Sequence, residues 1–396
     1  MRTLAFYLPQ FHSIPENDEW WGEGFTEWVN VRRARPQFDG HFQPHVAGEL
    51  GEYDLTSSDV RARQSELARQ SGIDGFCMYY YSFGGRRLLE RPVEAWRDDS
   101  TLLPYCLAWA NESWTRRWDG KSRSVLMAQS YEHGFTEQLF ADLLPHFKAP
   151  HYLRQDGKPI LVVHRADHIP DARGMARTLR ALALDAGLLG LHLVASEVTP
   201  GLTPGPIEFD AVAEFPPVGA NTLASAMLRP LKNLNPKFRG RLMSYDKLLE
   251  RYSLRREPNF VRYRSVAPRW DNTARRQEAA TIYVGANPEK FAGWLSHARN
   301  AELKVRGEAG IVFVNAWNEW AEGAYLEPDA QFGDEYLQAT ADPDGFISSY
   351  QGNVASGPLV WSIGQARSVA LAAASSILAG KRRAQNWLRT RGVKGE

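Results

Sequence analysis

The chain has 396 residues, a length that fits one large α/β barrel or two to three smaller domains. Its 47 Lys and Arg residues balance 46 Asp and Glu residues, so it lacks the basic excess that nucleic-acid binders usually carry. Aromatic residues make up 12% of the chain and include 13 Trp, and such rings either fill a core or stack on the apolar faces of sugar rings.

Targeting and redox signals in the sequence are few. No run of about 18 apolar residues occurs, so we expect no transmembrane helix. The chain passes from Met1 directly into a strand pattern, without the successive regions of a secretory signal peptide. Its two cysteines, Cys77 and Cys106, lie inside strand-like runs. These features predict a cytoplasmic protein with two reduced, buried thiols.

Taken in chain order, short apolar runs of strand length alternate with segments that are mostly long enough for a helix. The eight runs are 4–8, 75–81, 104–110, 160–164, 191–196, 211–215, 265–270 and 311–316. Helical patterns fit 60–71, 135–147 and 172–186. Alternation of this kind favours a parallel sheet, and eight strands favour a closed (β/α)8 TIM barrel. A doubly wound sheet is the alternative, but the Gly-rich phosphate turn typical of it is absent from the sequence.

The domain organisation follows from the position of these runs. We expect the barrel, with long loops at the C-terminal strand ends, to occupy 1–345 and a C-terminal helical extension to occupy 346–396. The basic, irregular segment 221–257 predicts a helical lid or an insertion. A helix over 362–391 is Ala-rich and then basic, which favours a surface helix packed on the barrel. Weak contact of this helix with an anionic membrane surface or polymer is the alternative.

The clearest chemical signal follows the last predicted strand, where the sequence reads Trp317-Asn318-Glu319-Trp320-Ala321-Glu322-Gly323. Glycoside hydrolysis typically uses two carboxyl groups that flank the scissile bond. Glu319 and Glu322 would face opposite sides of a straight strand, so they converge only if the chain turns near Trp320. Gly323 suits such a turn. The alternative is a pair of solvated or ion-paired loop glutamates without a catalytic role.

Polar and aromatic side chains recur at the other predicted strand ends, where a barrel builds its active site. Each of them alone is as compatible with a core position as with a ligand contact, but together they suit a polyhydroxylated ring. The candidate substrate-binding residues are Tyr7, Trp28, Tyr80, Trp109, Asn111, Glu112, Trp270, Asp271 and Asn318.

Neither a metal nor a cofactor is expected. His41 and His45 are separated by Phe-Gln-Pro, and Pro44 opposes a helix that would place both imidazoles on one face. A two-carboxylate mechanism needs no metal.

Several motifs together resemble the WbsX-like family over roughly residues 1–340. They are Tyr7-Leu8-Pro9-Gln10-Phe11-His12, Trp21-Gly22-Glu23-Gly24-Phe25-Thr26-Glu27-Trp28, Gln43-Pro44-His45, Tyr53-Asp54-Leu55, Trp109-Ala110-Asn111-Glu112 and the segment 317–323 quoted above. That family occurs in bacterial polysaccharide biosynthesis and is named as glycosyltransferase-like. The chain is also similar to glycoside hydrolase family 99, whose members are (β/α)8 endo-acting α-mannosidases.

The resemblance to family 99 implies roles for individual residues. The Asn-Glu-x-x-Glu-Gly pattern of that family matches Asn318, Glu319, Glu322 and Gly323. It implies that Glu322 is the general acid/base and holds a proton near neutral pH. It implies that ionised Glu319 draws the proton from the sugar 2-hydroxyl, so that the 2-oxygen attacks the anomeric carbon. Tyr7 and Asp271 also fall where that family has site residues.

Three functions remain open from the sequence, all with an oligo- or polysaccharide partner. The first is a retaining glycoside hydrolase or transglycosylase on an α-linked, mannose-like bacterial polysaccharide. The second is a glycosyltransferase of cell-surface polysaccharide (O-antigen) biosynthesis, although the chain lacks an Asp-x-Asp metal motif, since Asp98 and Asp99 are adjacent. The third is a non-catalytic glycan-binding barrel, which could have lost either glutamate.

Overall fold

The computed structural model describes residues 1–115, 125–349, 368 and 371–376. Eight parallel strands form a closed barrel: β1 (Arg2–Tyr7), β2 (Gly75–Phe83), β3 (Tyr105–Trp109), β4 (Lys158–Val163), β5 (His192–Ser196), β6 (Ala211–Ala213), β7 (Arg262–Val266) and β8 (Ile311–Val314). Each strand pairs with the next, and β1 pairs with both β2 and β8. The TIM-barrel fold expected from the sequence is therefore confirmed.

The inside of the barrel is packed with side chains, as is usual for this fold. The ring of Phe6 meets Tyr79, Phe215 and Phe313 at centroid distances of 5.8, 5.0 and 5.4 Å. These rings come from opposite sides of the barrel, so they lie in its interior. Cys77 and Cys106 are register partners on β2 and β3, and both are buried, free thiols.

Helices cover the outside of the barrel and build its loops. They are α1 (Pro15–Trp21), α2 (Glu27–Arg33), α3 (Ser58–Gln70), α4 (Glu90–Asp98), α5 (Phe135–Phe147), α6 (Ala172–Asp185), α7 (Tyr245–Ser253), α8 (Thr273–Arg276), α9 (Pro288–Arg306), α10 (Glu335–Ala341) and α11 (Pro343–Ser349). The sequence patterns located α3, α5 and α6 to within two residues at each end. None of the helices in this part of the chain combines the length and apolar character needed to cross a bilayer.

Short strands complete the loops. Arg86–Leu88 extends β2 as a hairpin, Arg154–Gln155 pairs with β4, Trp114–Thr115 pairs with Val125–Met127, and Asn318–Glu319 pairs with Ala324–Tyr325.

The segment 221–257 is an insertion that forms a small sheet and a separate core together with residues 280–284. It contains a 3-10 turn at Leu223–Ser225 and the strand Arg241–Ser244, which pairs in parallel with Thr281–Val284. The core of the insertion consists of Leu234, Phe238, Leu242, Ala280 and Ile282.

The described part of the C-terminal extension packs against this insertion. Ser368 and residues 371–376 are helical. The backbone N–H of Leu242 donates to Ser368 at 2.6 Å, and that of Leu223 donates to Ser376 at 2.8 Å. The remainder of the helix expected over 362–391 lies outside the described residues. The expected boundary at 345 falls inside α11, and the division into barrel and extension stays a prediction.

Two glycines provide a test of this packing. A Cβ on buried Gly240 would collide with the backbone carbonyl of Ala280, whereas a Cβ on Gly293 inside α9 would meet no atom within 4 Å. We expect Gly240→Ala to lower the free energy of unfolding by about 1–3 kcal/mol. Gly293→Ala should raise it by about 0.5–1 kcal/mol, because alanine loses less conformational entropy in a helix. Urea denaturation measures both values, and a Gly240→Ala protein as stable as the parent would contradict the close approach.

Candidate active site

The segment after β8 makes the turn that the sequence requires. Asn318–Glu319 is a short strand, Trp320–Glu322 is a 3-10 turn, and the chain returns antiparallel through Ala324–Tyr325. Gly323 has a φ of 59°, and a Cβ there would lie 2.9 Å from the backbone oxygen of Asp271. Glycine is therefore needed both for the backbone conformation and for the close contact.

The turn brings Glu319 and Glu322 onto one guanidinium. Arg275, from α8, places Nη1 2.5 Å from Glu322 and Nη2 3.3 Å from Glu319. A third carboxylate, Glu27 of α2, lies 3.3 Å from the same Nη2. The side chains of Glu27 and Glu319 are 1% and 8% exposed, and that of Glu322 is 22% exposed. Glu322 is therefore the carboxyl group of the three that solvent or substrate can best reach.

Burial and mutual repulsion disfavour full ionisation of the pair. Burial raises the pKa of Glu319 to about 8, against the opposing effect of Arg275 and with a further rise from the charges of Glu322 and Glu27. Burial also raises the pKa of Glu322, again against Arg275. Because Arg275 is closer to Glu322, we assign the ionised form to Glu322 and the proton to Glu319 in the free protein. This distribution is the reverse of the one that the resemblance to family 99 implies.

Tyr79 and Tyr81 of β2 face the glutamates. After burial, the charge of Glu319 is the next cause that raises the pKa of each hydroxyl. Gln10, in the loop after β1, donates to the Tyr81 hydroxyl at 2.9 Å. Tyr80 points to the opposite side of the strand, where its ring packs on His146. The structure therefore places Tyr79 and Tyr81, rather than Tyr80, at the site, as the two-residue period of a strand requires.

An aromatic cleft lies next to Glu27 and Gln10. A cavity of about 30 Å³ is lined by Gln10, Asn17, Trp21, Phe25, Glu27, Trp114, Thr115 and Leu126. The ring of Trp114 meets Tyr81 at 5.2 Å and Trp20 at 5.8 Å. Indoles beside carboxylates and an amide are the surroundings that bind a sugar ring.

Two of the residues predicted to bind substrate, Tyr7 and Trp109, are part of the barrel wall, and a third, Asn111, lies in the loop after β3. The Tyr7 hydroxyl donates to Gln64 at 2.8 Å, and its ring packs on Phe76 and Trp96. The Trp109 indole donates to the backbone carbonyl of Ser82. The Asn111 side chain bonds to Tyr131 and to the backbone of Arg165. The three side chains are thus bonded to helix α3, to the backbone of β2 and to the loop after β4, and none of these hydrogen bonds involves the glutamate pair.

Asn318 and Trp28 support the turn that carries Glu319 and Glu322. The Asn318 amide accepts from the Leu8 N–H at 2.7 Å and donates to the Leu8 carbonyl at 3.0 Å, which ties the turn to the end of β1. Trp28 donates to the backbone of Tyr53 and packs on Trp320 at 5.4 Å.

Glu112 lies at the rim of the barrel. Its side chain is 47% exposed, pairs with Arg165 at 2.6 Å, and lies 3.8 Å from His164. His164 packs on Tyr79 and Phe215 and so faces the interior. Glu112 can therefore reach a ligand at the mouth without sharing the Arg275 cluster.

Trp270 and Asp271 line a different, shallow cavity of about 120 Å³ together with His41 and His45. The Asp271 carboxylate accepts from His41 at 2.6 Å, from Gln43 at 2.5 Å and from Thr273 at 2.5 Å. Despite burial, the His41 hydrogen bond holds the pKa of Asp271 below its usual range. The backbone N–H of Asp271 donates to the Glu322 carbonyl at 2.7 Å. Asp271 thus supports the turn through its backbone while its carboxylate is already occupied.

The part of the chain that the structure describes contains no arrangement of side chains suited to bind a metal ion. No group of three or more His, Cys, Asp or Glu side chains there could hold an ion.

Glu327 is a supporting carboxylate that the sequence analysis missed. It is buried and accepts from Trp320 at 2.6 Å, Tyr53 at 2.8 Å and Gln64 at 2.6 Å. Burial raises its pKa to about 7. Because Trp320 lies between the two site glutamates, this network fixes the turn that carries them. No local pattern distinguishes Glu327 from other acidic residues in the sequence.

The raised pKa of Glu327 makes stability depend on pH. Between about pH 4.5 and 7 the folded protein binds the Glu327 proton more tightly than the unfolded chain, so this contribution to stability falls as pH rises. From pH 5 to 8 we expect Glu327 to account for a loss of up to about 3 kcal/mol, and Glu327→Gln should show a correspondingly smaller fall. Denaturant unfolding at both pH values measures the difference. Identical pH dependence of the two proteins would mean that Glu327 ionises as easily in the folded state as in the unfolded chain.

Comparison with known proteins agrees with this architecture. The family model described as glycosyltransferase WbsX matches residues 3–340. Two curated proteins from strains of Xanthomonas campestris pv. campestris, both called uncharacterized protein WxcX, are 42% identical over 339 residues. The match covers 85% of this chain and 48% of each relative, so the chain spans about half the length of these relatives.

Solved structures share the fold at low sequence identity. A glycoside hydrolase-like protein has a TM-score of 0.55 at 16% identity and covers 86% of this chain and 92% of its own. The GH99 endo-alpha-mannosidase from Bacteroides thetaiotaomicron has a TM-score of 0.54 at 14% identity, covering 88% and 98%. These likenesses establish a common barrel, whereas the family match extends over most of the sequence. The chain therefore belongs to the WbsX glycosyltransferase family.

Proposed function

We propose that the chain is a retaining glycoside hydrolase or transglycosylase that acts on an α-linked, mannose-like residue of a bacterial polysaccharide. The observation that carries the proposal is the convergence of Glu319 and Glu322 on Arg275 at the C-terminal ends of the strands. Two closely placed carboxyl groups in surroundings of low polarity can separate their pKa values, as acid–base catalysis at a glycosidic bond requires.

In the reaction that we propose, the proton held by Glu319 in the free protein first passes to Glu322 when substrate binds, and Glu322 then gives it to the leaving glycosidic oxygen. Glu319 removes the proton of the sugar 2-hydroxyl, and the 2-oxygen attacks the anomeric carbon as the glycosidic bond breaks. Water or an acceptor hydroxyl then opens the resulting 1,2-anhydro sugar. Glu322 takes the proton of that acceptor, and Glu319 returns its proton to the 2-oxygen. The two inversions leave the anomeric configuration retained. The greater exposure of Glu322 supports its contact with the leaving group.

Substrate binding is proposed against the outer face of the aromatic cleft, because the cleft itself, at about 30 Å³, has room for only one or two water molecules. Trp21, Phe25 and Trp114 can stack on sugar faces while Gln10 and the Tyr81 hydroxyl bond to ring hydroxyls. Glu112 at the rim is placed to contact a neighbouring sugar unit. The α-mannose preference is suggested by the named activity of the GH99 structures, which share the fold.

Transfer from a nucleotide sugar in cell-surface polysaccharide (lipopolysaccharide) biosynthesis is the second candidate, favoured by the description of the family. The charges around Arg275 count against it, because three carboxylates contact one guanidinium and a diphosphate would add further negative charge. A non-catalytic glycan-binding barrel is the third candidate. We also propose a cytoplasmic location, which the two free thiols support.

Product analysis separates these functions. Incubation with a panel of polysaccharides and with nucleotide sugars, followed by mass spectrometry and anomeric NMR, should give shortened or transferred glycans with retained configuration. Release of a nucleoside diphosphate would favour the transferase instead. Binding of glycans without any turnover would favour the binding barrel.

Single substitutions should separate the roles of the two glutamates. General acid–base catalysis contributes about 10²–10⁴-fold to a rate. Glu322→Gln should lose about that factor with a poor leaving group and much less with an activated aryl leaving group, which departs without a proton. Glu319→Gln should lose about that factor with both, since attack by the 2-oxygen fails whatever leaves. Steady-state kinetics with matched substrates measures the pattern, and Glu308→Gln, whose side chain is 91% exposed, is the control.

The substrate itself provides a further test of the attack step. A 2-deoxy analogue of a good substrate has no internal nucleophile, so we expect the intact enzyme to leave it unchanged, with a rate at least about 10²-fold lower. NMR of the reaction mixture measures residual turnover. Efficient cleavage of the analogue, or a sugar trapped covalently on Glu319, would show that Glu319 is an ordinary nucleophile.

A further inference from the structure

The guanidinium of Arg275 is shared by carboxylates from two distant parts of the chain. Glu27 belongs to α2, while Glu319 and Glu322 belong to the turn after β8. Glu27 receives both Nε and Nη2 of Arg275 at 3.3 Å. Glu322 receives Nη1 at 2.5 Å, and Glu319 receives Nη2 at 3.3 Å. One cation thus contacts three potential anions in a largely buried space.

We propose that Arg275 is a positioning residue that decides which of Glu319 and Glu322 carries a proton shared by the pair, while Glu27 keeps Arg275 in place. The proposal rests on the two-glutamate function proposed above and assigns control of its proton to a residue that takes no part in bond making. Neither Arg275 nor Glu27 belongs to the pair that the sequence predicted as catalytic.

The charge balance around Arg275 favours one shared proton. Three ionised carboxylates and one guanidinium would leave two uncompensated negative charges in a buried site. Arg276 also lowers the pKa of Glu322, but its effect is smaller than those of Arg275 and Glu27. Of the titratable groups in the described part of the chain, Tyr79 and Tyr81 also face the pair, and burial keeps both hydroxyls neutral. Protonation of one glutamate reduces this repulsion.

Glu27 has the geometry of an anchor. It is 1% exposed, and its carboxylate contacts Arg275 in this buried position. Within the described residues, the Asn30 side chain on the same helix is a further donor to Glu27, 3.5 Å away. When Nη1 separates from Glu322, the Nε and Nη2 contacts with Glu27 can persist. The guanidinium can therefore move between the two site glutamates without leaving the cluster.

The exchange conserves protons and charge. In the free protein, Arg275 pairs closely with ionised Glu322, and Glu319 holds the proton. In the reacting state, the proton passes from Glu319 to Glu322 through a bridging hydroxyl of substrate or water, and the guanidinium moves toward Glu319. The products of this step are ionised Glu319 and protonated Glu322, the forms that the proposed reaction uses.

Carbon-13 NMR of protein labelled at the glutamate carboxyl carbon tests the proposal directly. Spectra of Glu319→Gln and Glu322→Gln identify the two signals. Arg275→Gln should raise the apparent pKa values of the pair by about 1–3 units, because the nearby positive charge is lost. Glu27→Gln should lower them, because a nearby negative charge is lost. Opposite shifts at the same two carboxyl groups are not expected from a general structural disturbance.

Arg306→Gln is the matched control, since Arg306 pairs with buried Glu302 in the outer layer, away from the site. It should leave both site signals unchanged. If Arg275→Gln fails to fold by circular dichroism, Arg275→Lys replaces it. Lysine keeps the positive charge but lacks the planar guanidinium that contacts several carboxylates at once. Arg275→Lys should therefore change the distribution of the proton between Glu319 and Glu322 without raising the mean pKa of the two groups.

Two results would overturn the proposal: unchanged titration in the Arg275 variants, or shifts of the same sign in the Arg275→Gln and Glu27→Gln proteins. The failure of the proposed function gives a different result, in which the intact protein turns over no glycoside although its carboxyl groups titrate as expected. The reverse result is turnover of a glycoside without these pKa shifts. It would support the proposed glycosidase function and show that Arg275 does not control the position of the proton.

Discussion

Closure of the barrel is the constraint on which the site depends. β1 bonds to both β2 and β8, so the eight strands form a ring, and their parallel direction brings every carboxyl end to one rim. The strands β7, β8, β1 and β2 are consecutive in this ring. Arg275 follows β7, the glutamate pair follows β8, Glu27 follows β1, and Tyr79 and Tyr81 lie on β2. Residues separated by up to 295 positions thus meet on half of the rim.

The turn after β8 is held by several contacts that act on its backbone and its indole. Asn318 ties it to Leu8, Gly323 allows close approach to Asp271, and Trp320 donates to buried Glu327. Burial of Glu327 costs stability as its proton is lost. The hydrogen bonds from Tyr53 and Gln64 fix the Glu327 carboxyl group, and the bond from Trp320 then holds the indole against it. Precise placement of two carboxyl groups is therefore obtained at the expense of stability, which is common at functional sites.

The family description and the fold point to related chemistries. A glycosidase and a glycosyltransferase both move a glycosyl group, and they differ in the donor and the acceptor. The charge around Arg275 suits a neutral glycosidic donor better than a diphosphate, which is why hydrolysis or transglycosylation is the function that we propose. A fold alone would not distinguish these, because the same barrel carries many activities.

The sequence by itself determined the barrel and the position of most of its strands, and it predicted the glutamate pair. The run expected at 265–270 lies three to four residues beyond β7, which spans Arg262–Val266. Strand and helix periods depend on local side-chain patterns, and the Asn-Glu-x-x-Glu-Gly segment directly follows a recognisable strand. What only the tertiary structure decided is which side chains share the site. It placed Tyr79 and Tyr81 inward and Tyr80 outward, kept Tyr7 and Trp109 in the wall, and turned the Asp271 carboxylate toward His41. It also brought Arg275 and Glu27 to the pair. Contacts between loops that follow different strands arise only when the barrel closes, so a local sequence pattern does not predict them.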